Sequence, residues 1–278
     1  MVREIRVNKE VVFGSPEGPL VLIAGPCVLE SVEDALLIGA RIKELTEEYG
    51  LQYVFKASYD KANRSSIDSY RGPGLERGLE MLARIGEELE VPVLSDVHSP
   101  EEARQAAEVL DIIQVPAFLS RQTDLLVACG ETGRVVNVKK GQFLAPWDME
   151  QVVGKLESTG CREILLTERG SSFGYNNLVV DMSSLPRMRK TGYPVVFDAT
   201  HSVQLPGGAG DVSGGEREYI PHLARAALGV GIDALFLEVH HQPEEALCDA
   251  SSMLALEGLE ELLKGAVAIH SAVRKVKD

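Results

Sequence analysis

Eight short apolar segments recur along the 278 residues, and a stretch with helical spacing or turn residues separates each from the next. Most of them are continuously apolar, which is typical of parallel strands that are buried on both faces. The predicted strands cover residues 20–24, 53–55, 92–95, 112–115, 135–138, 164–166, 194–197 and 234–238. Eight repeats of strand and helix predict an α/β fold, a (β/α)₈ TIM barrel.

The alternative is an open, doubly wound sheet, which has the same alternation of strand and helix. Two features favour the barrel: no Gly-x-Gly-x-x-Gly follows the first strand, and no change of composition marks a second domain. We therefore predict one domain over residues 1–278, in which residues 1–18 form a short β-hairpin that caps the barrel floor. A helix is predicted to begin after Ser99, because Pro100 and Glu102 follow as in a capping box.

The composition and net charge limit the kinds of partner that this protein is expected to bind. The chain is 45% apolar, yet no apolar run approaches the roughly 18 residues of a membrane span. Its charged first residues differ from a secretory signal, so we expect a cytoplasmic protein with four free cysteines. The net charge of -14 argues against nucleic acid and anionic membranes as partners. A local group of cations would then indicate a small anionic ligand.

Cationic residues follow four of the predicted strands, at the end where barrel enzymes place their active sites. A single lysine or arginine is usually a solvated surface charge, but repetition at one position favours binding of phosphates and carboxylates. We favour Lys61, Lys140 and Arg169 as ligand contacts and interpret Lys139 as structural. The full set with its polar neighbours is Lys56, Lys61, Asn63, Arg64, Ser65, Arg121, Lys139, Lys140 and Arg169.

The strands that meet at barrel closure carry different residues. Cys27 follows the first strand, His201 the seventh, Glu238 ends the eighth, and Asp249 lies in the loop beyond it. One thiol, one imidazole and two carboxylates on neighbouring strands predict a site for Zn²⁺, Fe²⁺ or Mn²⁺. Taken singly, Cys27 would be a small buried residue and His201 a general acid or a core histidine.

The other histidines and the longest glycine-rich loop carry weaker signals. His240 and His241 are expected near the metal ligands, whereas His98, His222 and His270 receive no role. Residues 206–216 contain five glycines but lack the Gly-Lys-Ser/Thr of a nucleotide-binding loop. We expect either a mobile lid over the site or a flexible surface loop there.

Six longer runs resemble the 3-deoxy-D-manno-octulosonate 8-phosphate synthases. They are IAGPC at 23–27, FKASYDKANRSS at 55–66, QVPAFLSRQTD at 114–124, NVKKGQF at 137–143, TERG at 167–170 and DATHSVQ at 198–204. The resemblance extends from about residue 19 to beyond 249. It implies condensation of phosphoenolpyruvate with D-arabinose 5-phosphate and water, which makes an inner-core sugar of bacterial lipopolysaccharide and releases phosphate.

The resemblance also implies roles for individual residues. Asn63, Arg64 and Ser65 match the segment that binds the pentose phosphate, and Arg121 matches a residue that reaches a neighbouring subunit, which implies a homotetramer. Phosphoenolpyruvate contacts are implied for Lys56, Lys61, Lys140 and Arg169, with Gln114 and Phe118 as further substrate contacts. The implied catalytic residues are Lys61, Asn63, Lys140, His201 and Asp249.

Two local sequence features distinguish this chain within the families it resembles. The run Lys-Ala-Asn-Arg-Ser at 61–65 differs from the Lys-Pro-Arg-Thr of the related heptulosonate phosphate synthases, which use erythrose 4-phosphate. Cys27 and the Asp249-Ala-Ser run match the metal-dependent branch, because the other branch has Asn and Asp-Gly-Pro there. The resemblance thus implies one divalent metal ion per subunit. His241 departs from the family, which usually has proline at that position.

The sequence leaves the role of the metal open. The ion would polarise the sugar aldehyde or hold and acidify the attacking water, and Asp249 is a candidate base if its coordination is loose. Three rival functions remain: a heptulosonate phosphate synthase, a barrel aldolase of the lyase type, and a barrel that binds sugar phosphates without catalysis.

Overall fold

The computed structural model describes residues 2–64, 66–207 and 214–276. Eight parallel strands within this part of the chain form one sheet, and each is buried along nearly its whole length. They are β1 (Val21–Gly25), β2 (Gln52–Lys56), β3 (Val93–Asp96), β4 (Ile112–Val115), β5 (Val135–Lys139), β6 (Ile164–Glu168), β7 (Val195–Asp198) and β8 (Ala234–His240).

A helix follows each strand and packs on the outside of the sheet. These helices are α1 (Val32–Glu48), α2 (Leu75–Leu89), α3 (Pro100–Ala106), α4 (Thr123–Glu131), α5 (Met149–Glu157), α6 (Ser184–Arg189), α7 (Ile220–Val230) and α8 (Leu256–Lys275). Their buried residues recur at helical spacing, as Ile38, Ile42 and Leu45 do in α1. Each helix therefore covers an apolar outer face of the strands.

The sheet closes on itself, which confirms the predicted barrel and excludes the open sheet. Neighbouring strands pair in chain order from β1 to β8. The last strand then pairs with the first in parallel register, with Phe236 opposite Ile23 and Glu238 opposite Gly25. Closure makes β7, β8 and β1 consecutive neighbours and brings their carboxyl ends to one rim.

The amino-terminal segment forms the expected hairpin, in which Ile5–Arg6 pairs with Val12–Phe13. Ile5 and Phe13 are fully buried in the main apolar core. The Val12 amide donates to the Gln52 side chain at the start of β2. The hairpin therefore lies at the amino-terminal end of the barrel, opposite the carboxyl ends of the strands.

The start of α3 differs in one detail from the prediction. The Ser99 hydroxyl caps the helix by accepting from the Glu102 amide at 3.2 Å, and Pro100 occupies the first turn. The predicted reciprocal bond of the capping box, from the Ser99 amide to the Glu102 carboxylate, is wrong. The Glu102 carboxylate instead accepts from the backbone and ring of His98 and from Tyr59. This carboxylate belongs to a buried polar cluster.

Among residues 2–64, 66–207 and 214–276, we find no helix with the length and apolar character needed to cross a bilayer.

Candidate active site

One pocket opens at the carboxyl ends of the strands, and the last inward-facing residues of five strands line it. Lys56, Asp96 and Lys139 are the last residues of β2, β3 and β5. Gln114 and Glu238 lie near the ends of β4 and β8. Loop residues complete the wall, and among them are Ser58, Lys61, Asn63, Arg64, Phe118, Gln142, Arg169, His201, Cys248 and Asp249. The position agrees with the general placement of active sites in such barrels.

The two lysines at the end of β5 lie in different surroundings. Lys139 lines the pocket, with its Nζ 2.5 Å from Asp198 Oδ2. Lys140 is fully buried outside the pocket wall, and its Nζ lies 3.0 Å from Ser171 Oγ and 3.4 Å from Glu168 Oε1. Successive side chains of a strand point to opposite faces. Only one of two adjacent lysines can therefore face the barrel interior.

A ladder of buried polar side chains crosses the interior just below the pocket. Asn137 donates to Gln114 Oε1 at 3.0 Å and accepts from the Thr167 hydroxyl at 2.6 Å. These bonds use the oxygen of the Gln114 amide and leave its two N–H groups for the pocket. Gln114 thereby presents hydrogen-bond donors to the pocket.

Four buried polar atoms that belong to pocket residues have no hydrogen-bond partner within the described part of the chain. They are Ser58 Oγ, Asp96 Oδ1, Gln142 Oε1 and Arg169 Nη1. Buried polar groups normally find partners, and exceptions concentrate where a ligand supplies the bond. The other terminal nitrogen of the Arg169 guanidinium, Nη2, donates to Gln204 Oε1 at 2.9 Å. This bond holds the side chain in place and leaves Nη1 as its free prong, the nitrogen available to a ligand.

Glu238 is the centre of charge at the bottom of the pocket. Its Oε1 is hydrogen-bonded to the Lys56 ammonium and lies 3.5 Å from Lys61 Nζ and 3.5 Å from His201 Nε2. Burial alone would raise the pKa of Glu238, but His201, Lys56 and Lys61 hold it well below its ordinary value. Glu238 is therefore an anion that two lysines and an imidazole surround.

The four predicted metal ligands converge from β1, β7, β8 and the loop that follows β8. The donor atoms of His201, Glu238 and Asp249 lie within 4.8 Å of one another. Cys27 Sγ lies 3.3 Å from Asp249 Oδ2. Asp249 has a left-handed backbone with φ of 50°, which is uncommon outside glycine and asparagine. Such a conformation at a pocket carboxylate is typical of functional positions.

Sequence reasoning missed Asp198, which holds His201. Asp198 Oδ2 lies 2.7 Å from His201 Nδ1, so the other ring nitrogen faces Glu238 and Asp249. Burial would raise the pKa of Asp198, but His201 and Lys139 hold it well below its usual range. Asp198 is the last residue of β7, whereas the predicted strand ended at 197.

Sequence reasoning also missed His98, to which it gave no role. His98 Nε2 lies 3.2 Å from Asp96 Oδ2 and Nδ1 lies 3.0 Å from Glu102 Oε2, while the Tyr59 hydroxyl donates to that same Glu102 oxygen at 2.8 Å. Burial opposes a charge on His98, yet the two carboxylates raise its pKa to about 10. The contact with His98 keeps Asp96 ionised. The Oδ1 atom of Asp96 lies in the pocket. The predicted third strand ended at 95, one residue before Asp96.

The predicted pentose phosphate segment lies on one side of the opening. Asn63 and Arg64 line the pocket, whereas Ser65 lies outside the described residues. Phe118 lines the pocket and is 56% exposed. Arg121 lies on the surface and does not line the pocket of its own chain.

The predicted lid is described only at its base. Gln204–Leu205 pairs with Gly214–Gly215 in a short antiparallel ladder, and Pro206 lines the pocket. Residues 208–213, where the lid was predicted, lie outside the described part of the chain. His240 and His241 stack on each other, with ring centroids 4.5 Å apart, and His241 Nε2 lies 4.0 Å from Asp34.

A closed (β/α)₈ barrel whose mouth combines buried cations, carboxylates and a thiol defines a TIM-barrel enzyme with an anion-binding active site. The sequence profile described as the DAHP synthetase I family matches residues 4–274, and the chain belongs to this family.

Relatives match over nearly the whole chain. Proteins from Geobacter sulfurreducens and Citrifermentans bemidjiense are 58% and 57% identical to it; each alignment covers 99% of this chain and 100% of the relative. A protein from Desulfatibacillum aliphaticivorans is 59% identical over 95% of this chain and 96% of its own length. Each of the three is named 2-dehydro-3-deoxyphosphooctonate aldolase.

Proposed function

We propose that this protein condenses phosphoenolpyruvate with D-arabinose 5-phosphate and water to give 3-deoxy-D-manno-octulosonate 8-phosphate and phosphate. The observation that carries the proposal is the convergence of Lys56, Lys61, Lys139 and Arg169 in one pocket beside Asn63 and Arg64. The names of the full-length relatives and the Lys-Ala-Asn-Arg-Ser run support arabinose 5-phosphate over erythrose 4-phosphate. We propose that the reaction serves lipopolysaccharide inner-core synthesis in the cytoplasm.

The cations hold phosphoenolpyruvate. The free prong of Arg169 donates to the phosphate or carboxylate, and a guanidinium that is held by Gln204 loses little freedom when it does so. Lys139 takes the role that the sequence gave to Lys140, because Lys139 faces the pocket. Lys140 acts outside the pocket by holding Glu168, the Gly170 carbonyl and the Ser171 hydroxyl.

The sugar phosphate lies towards the outer rim, near Asn63 and Arg64. Asn63 is suited to orient the sugar by accepting from and donating to its hydroxyl groups. Asp96 Oδ1 faces the pocket as an acceptor without a partner among the described residues, and it is suited to a sugar hydroxyl or the attacking water. If the two substrates bind in this way, the cationic pocket would bring the sugar aldehyde close to the enol carbon, as near-attack geometry requires.

We also propose a homotetramer in which Arg121 reaches the pocket of a neighbouring subunit. Large aromatic side chains are exposed in the loops that follow β4, β5 and β6, and exposed apolar patches of this kind mark interaction sites. They are Phe118, Phe143, Trp147, Phe173 and Tyr175. Arg121 lies in the first of these loops and is itself exposed.

One divalent metal ion per subunit, Zn²⁺, Fe²⁺ or Mn²⁺, fits the donor set of Cys27, His201, Glu238 and Asp249. These residues offer sulfur, nitrogen and oxygen atoms at one rim, and Glu238 and Asp249 supply the anionic charge that a dication needs. When bound, such an ion polarises an aldehyde or acidifies a water. Asp198 orients His201 for ligation, and Lys56 and Lys61 keep Glu238 ionised.

The test measures phosphate release from phosphoenolpyruvate with arabinose 5-phosphate or erythrose 4-phosphate, each with and without a chelator. We expect release with the five-carbon sugar and loss of activity after chelation, restored by added metal. Activity only with erythrose 4-phosphate would identify a heptulosonate phosphate synthase instead. Full activity after exhaustive chelation would remove the metal from the proposal, and condensation without phosphate release would indicate a lyase.

A further inference from the structure

Cys248 lies beside the proposed metal ligands, although its position in the sequence suggested only a buried thiol. Its donor atom and those of Cys27 and Asp249 lie within 4.8 Å of one another. Both thiols are buried, and they pack in a small apolar cluster with Val28 and Met253. Asp249 also belongs to the group with His201 and Glu238, so one carboxylate joins the two sets of donors.

Arg64 connects Cys248 to Asp249 through direct contacts. Arg64 Nη1 donates to Cys248 Sγ at 2.7 Å and lies 3.7 Å from Asp249 Oδ1. The contact places the sulfur of Cys248 next to the carboxylate that both groups of donors share. This contact is a second observation, independent of the clustering of donors, and it sets Cys248 apart from Cys129 and Cys161. Cys129 lies in α4, and Cys161 lies in the loop between α5 and β6.

We propose that Cys248 supplies a second thiolate to the metal that Cys27, His201, Glu238 and Asp249 hold, an inference that rests on the metal site of the proposed function. Binding releases the proton of each thiol to solvent, and each sulfur donates an electron pair to the ion. Two thiolates make the site softer than one, so it favours Zn²⁺ over Mg²⁺ or Mn²⁺.

X-ray absorption at the zinc edge of the full-length, zinc-loaded protein tests this directly. Zinc–sulfur bonds are about 2.3 Å long and zinc–nitrogen or zinc–oxygen bonds about 2.0–2.2 Å, so the number of sulfur ligands is measurable. We expect two sulfur ligands in the unsubstituted protein and one in each of Cys248→Ser and Cys27→Ser. The matched control Cys161→Ser should keep two.

Zinc affinity gives a second measurement, by competition with a chromophoric chelator. Cys248→Ser is expected to bind Zn²⁺ at least roughly tenfold more weakly, because the loss of even a partner of a ligand weakens metal binding by about 10- to 100-fold. One sulfur ligand in the unsubstituted protein, or a Cys27–Cys248 disulfide, would overturn the role of Cys248 and leave the metal site intact. Failure of the protein to bind zinc would overturn both. The count in the unsubstituted protein decides the question even if a variant does not fold.

Discussion

The carboxylate of Asp198 lies 2.7 Å from Nδ1 of His201 and turns the opposite ring nitrogen towards Glu238 and Asp249. Carboxylates of this kind fix the orientation and raise the basicity of a ligating histidine. We expect Asp198→Asn to weaken metal binding by roughly 10- to 100-fold, the range for lost outer ligand partners. Isothermal titration with Zn²⁺ measures the effect, with the exposed Asp124→Asn as control. Equal affinities in the two variants would contradict it.

Cys27→Asn tests the thiol on β1. We expect weaker metal binding with activity retained, because the resemblance implies that the other, metal-independent branch has asparagine at this position. The measurements are zinc affinity and phosphate release with and without chelator, and circular dichroism checks the fold. If the variant binds metal as tightly as the unsubstituted protein, Cys27 is not a ligand.

Arg169→Lys removes the free guanidinium prong and keeps the charge. A hydrogen bond to a charged group contributes about 1.5–3 kcal/mol, so we expect kcat/KM for phosphoenolpyruvate to fall roughly 10- to 100-fold. Steady-state kinetics measure it, and the exposed Arg104→Lys is the matched control. A fall of less than about twofold in Arg169→Lys would show that this side chain does not contact the substrate.

Paired variants of Lys139 and Lys140 separate a pocket cation from a buried structural one. We expect Lys139→Gln to lower kcat/KM for phosphoenolpyruvate by roughly 100-fold, since it removes a charged contact in the pocket. Lys140→Gln should lower the thermal midpoint with little effect on kcat/KM, because it leaves a buried carboxylate, Glu168, with one partner fewer. Lys139→Gln likewise removes a partner of the buried Asp198, so kcat/KM is the quantity that separates the two variants. Kinetics and thermal unfolding on both variants check this, and the opposite pattern would restore Lys140 as the substrate contact.

His98 contributes a pH-dependent part of the stability. Its pKa is raised from 6.5 to about 10 in the folded protein, where Asp96 and Glu102 face the ring and Tyr59 contacts it edge-on. The imidazolium therefore stabilises the fold fully below about pH 6.5, and this contribution is lost as the pH rises to about 10. The stabilisation at low pH is on the order of a few kcal/mol.

The test compares unfolding by urea in the unsubstituted protein and in His98→Gln. We expect the difference in free energy of unfolding to be large at about pH 6 and small at about pH 9.5. Other titrating groups occur in both proteins, so their contributions largely cancel. A difference that stays constant across this range would show that His98 is not a buried cation.

The strands were predictable from the sequence because they are buried on both faces, which makes each one a compact apolar run. The same property hid two residues of the site. Asp96 and Asp198 end β3 and β7, and the apolar runs stop one residue before each of them. A polar residue that ends a buried strand resembles the beginning of a loop, and only the ladder of backbone hydrogen bonds shows that it still belongs to the strand.

The sequence by itself determined the barrel, the end of it that carries the chemistry, and the cations and donors gathered there. Only the tertiary structure decided which of Lys139 and Lys140 faces the pocket, because a strand that is apolar on both sides has no alternation from which to infer its orientation. Only closure of β8 on β1 placed Cys27 beside Asp249, 222 residues away in the chain. The local pattern of residues sets which elements form, whereas contacts between distant residues depend on the register in which those elements pair.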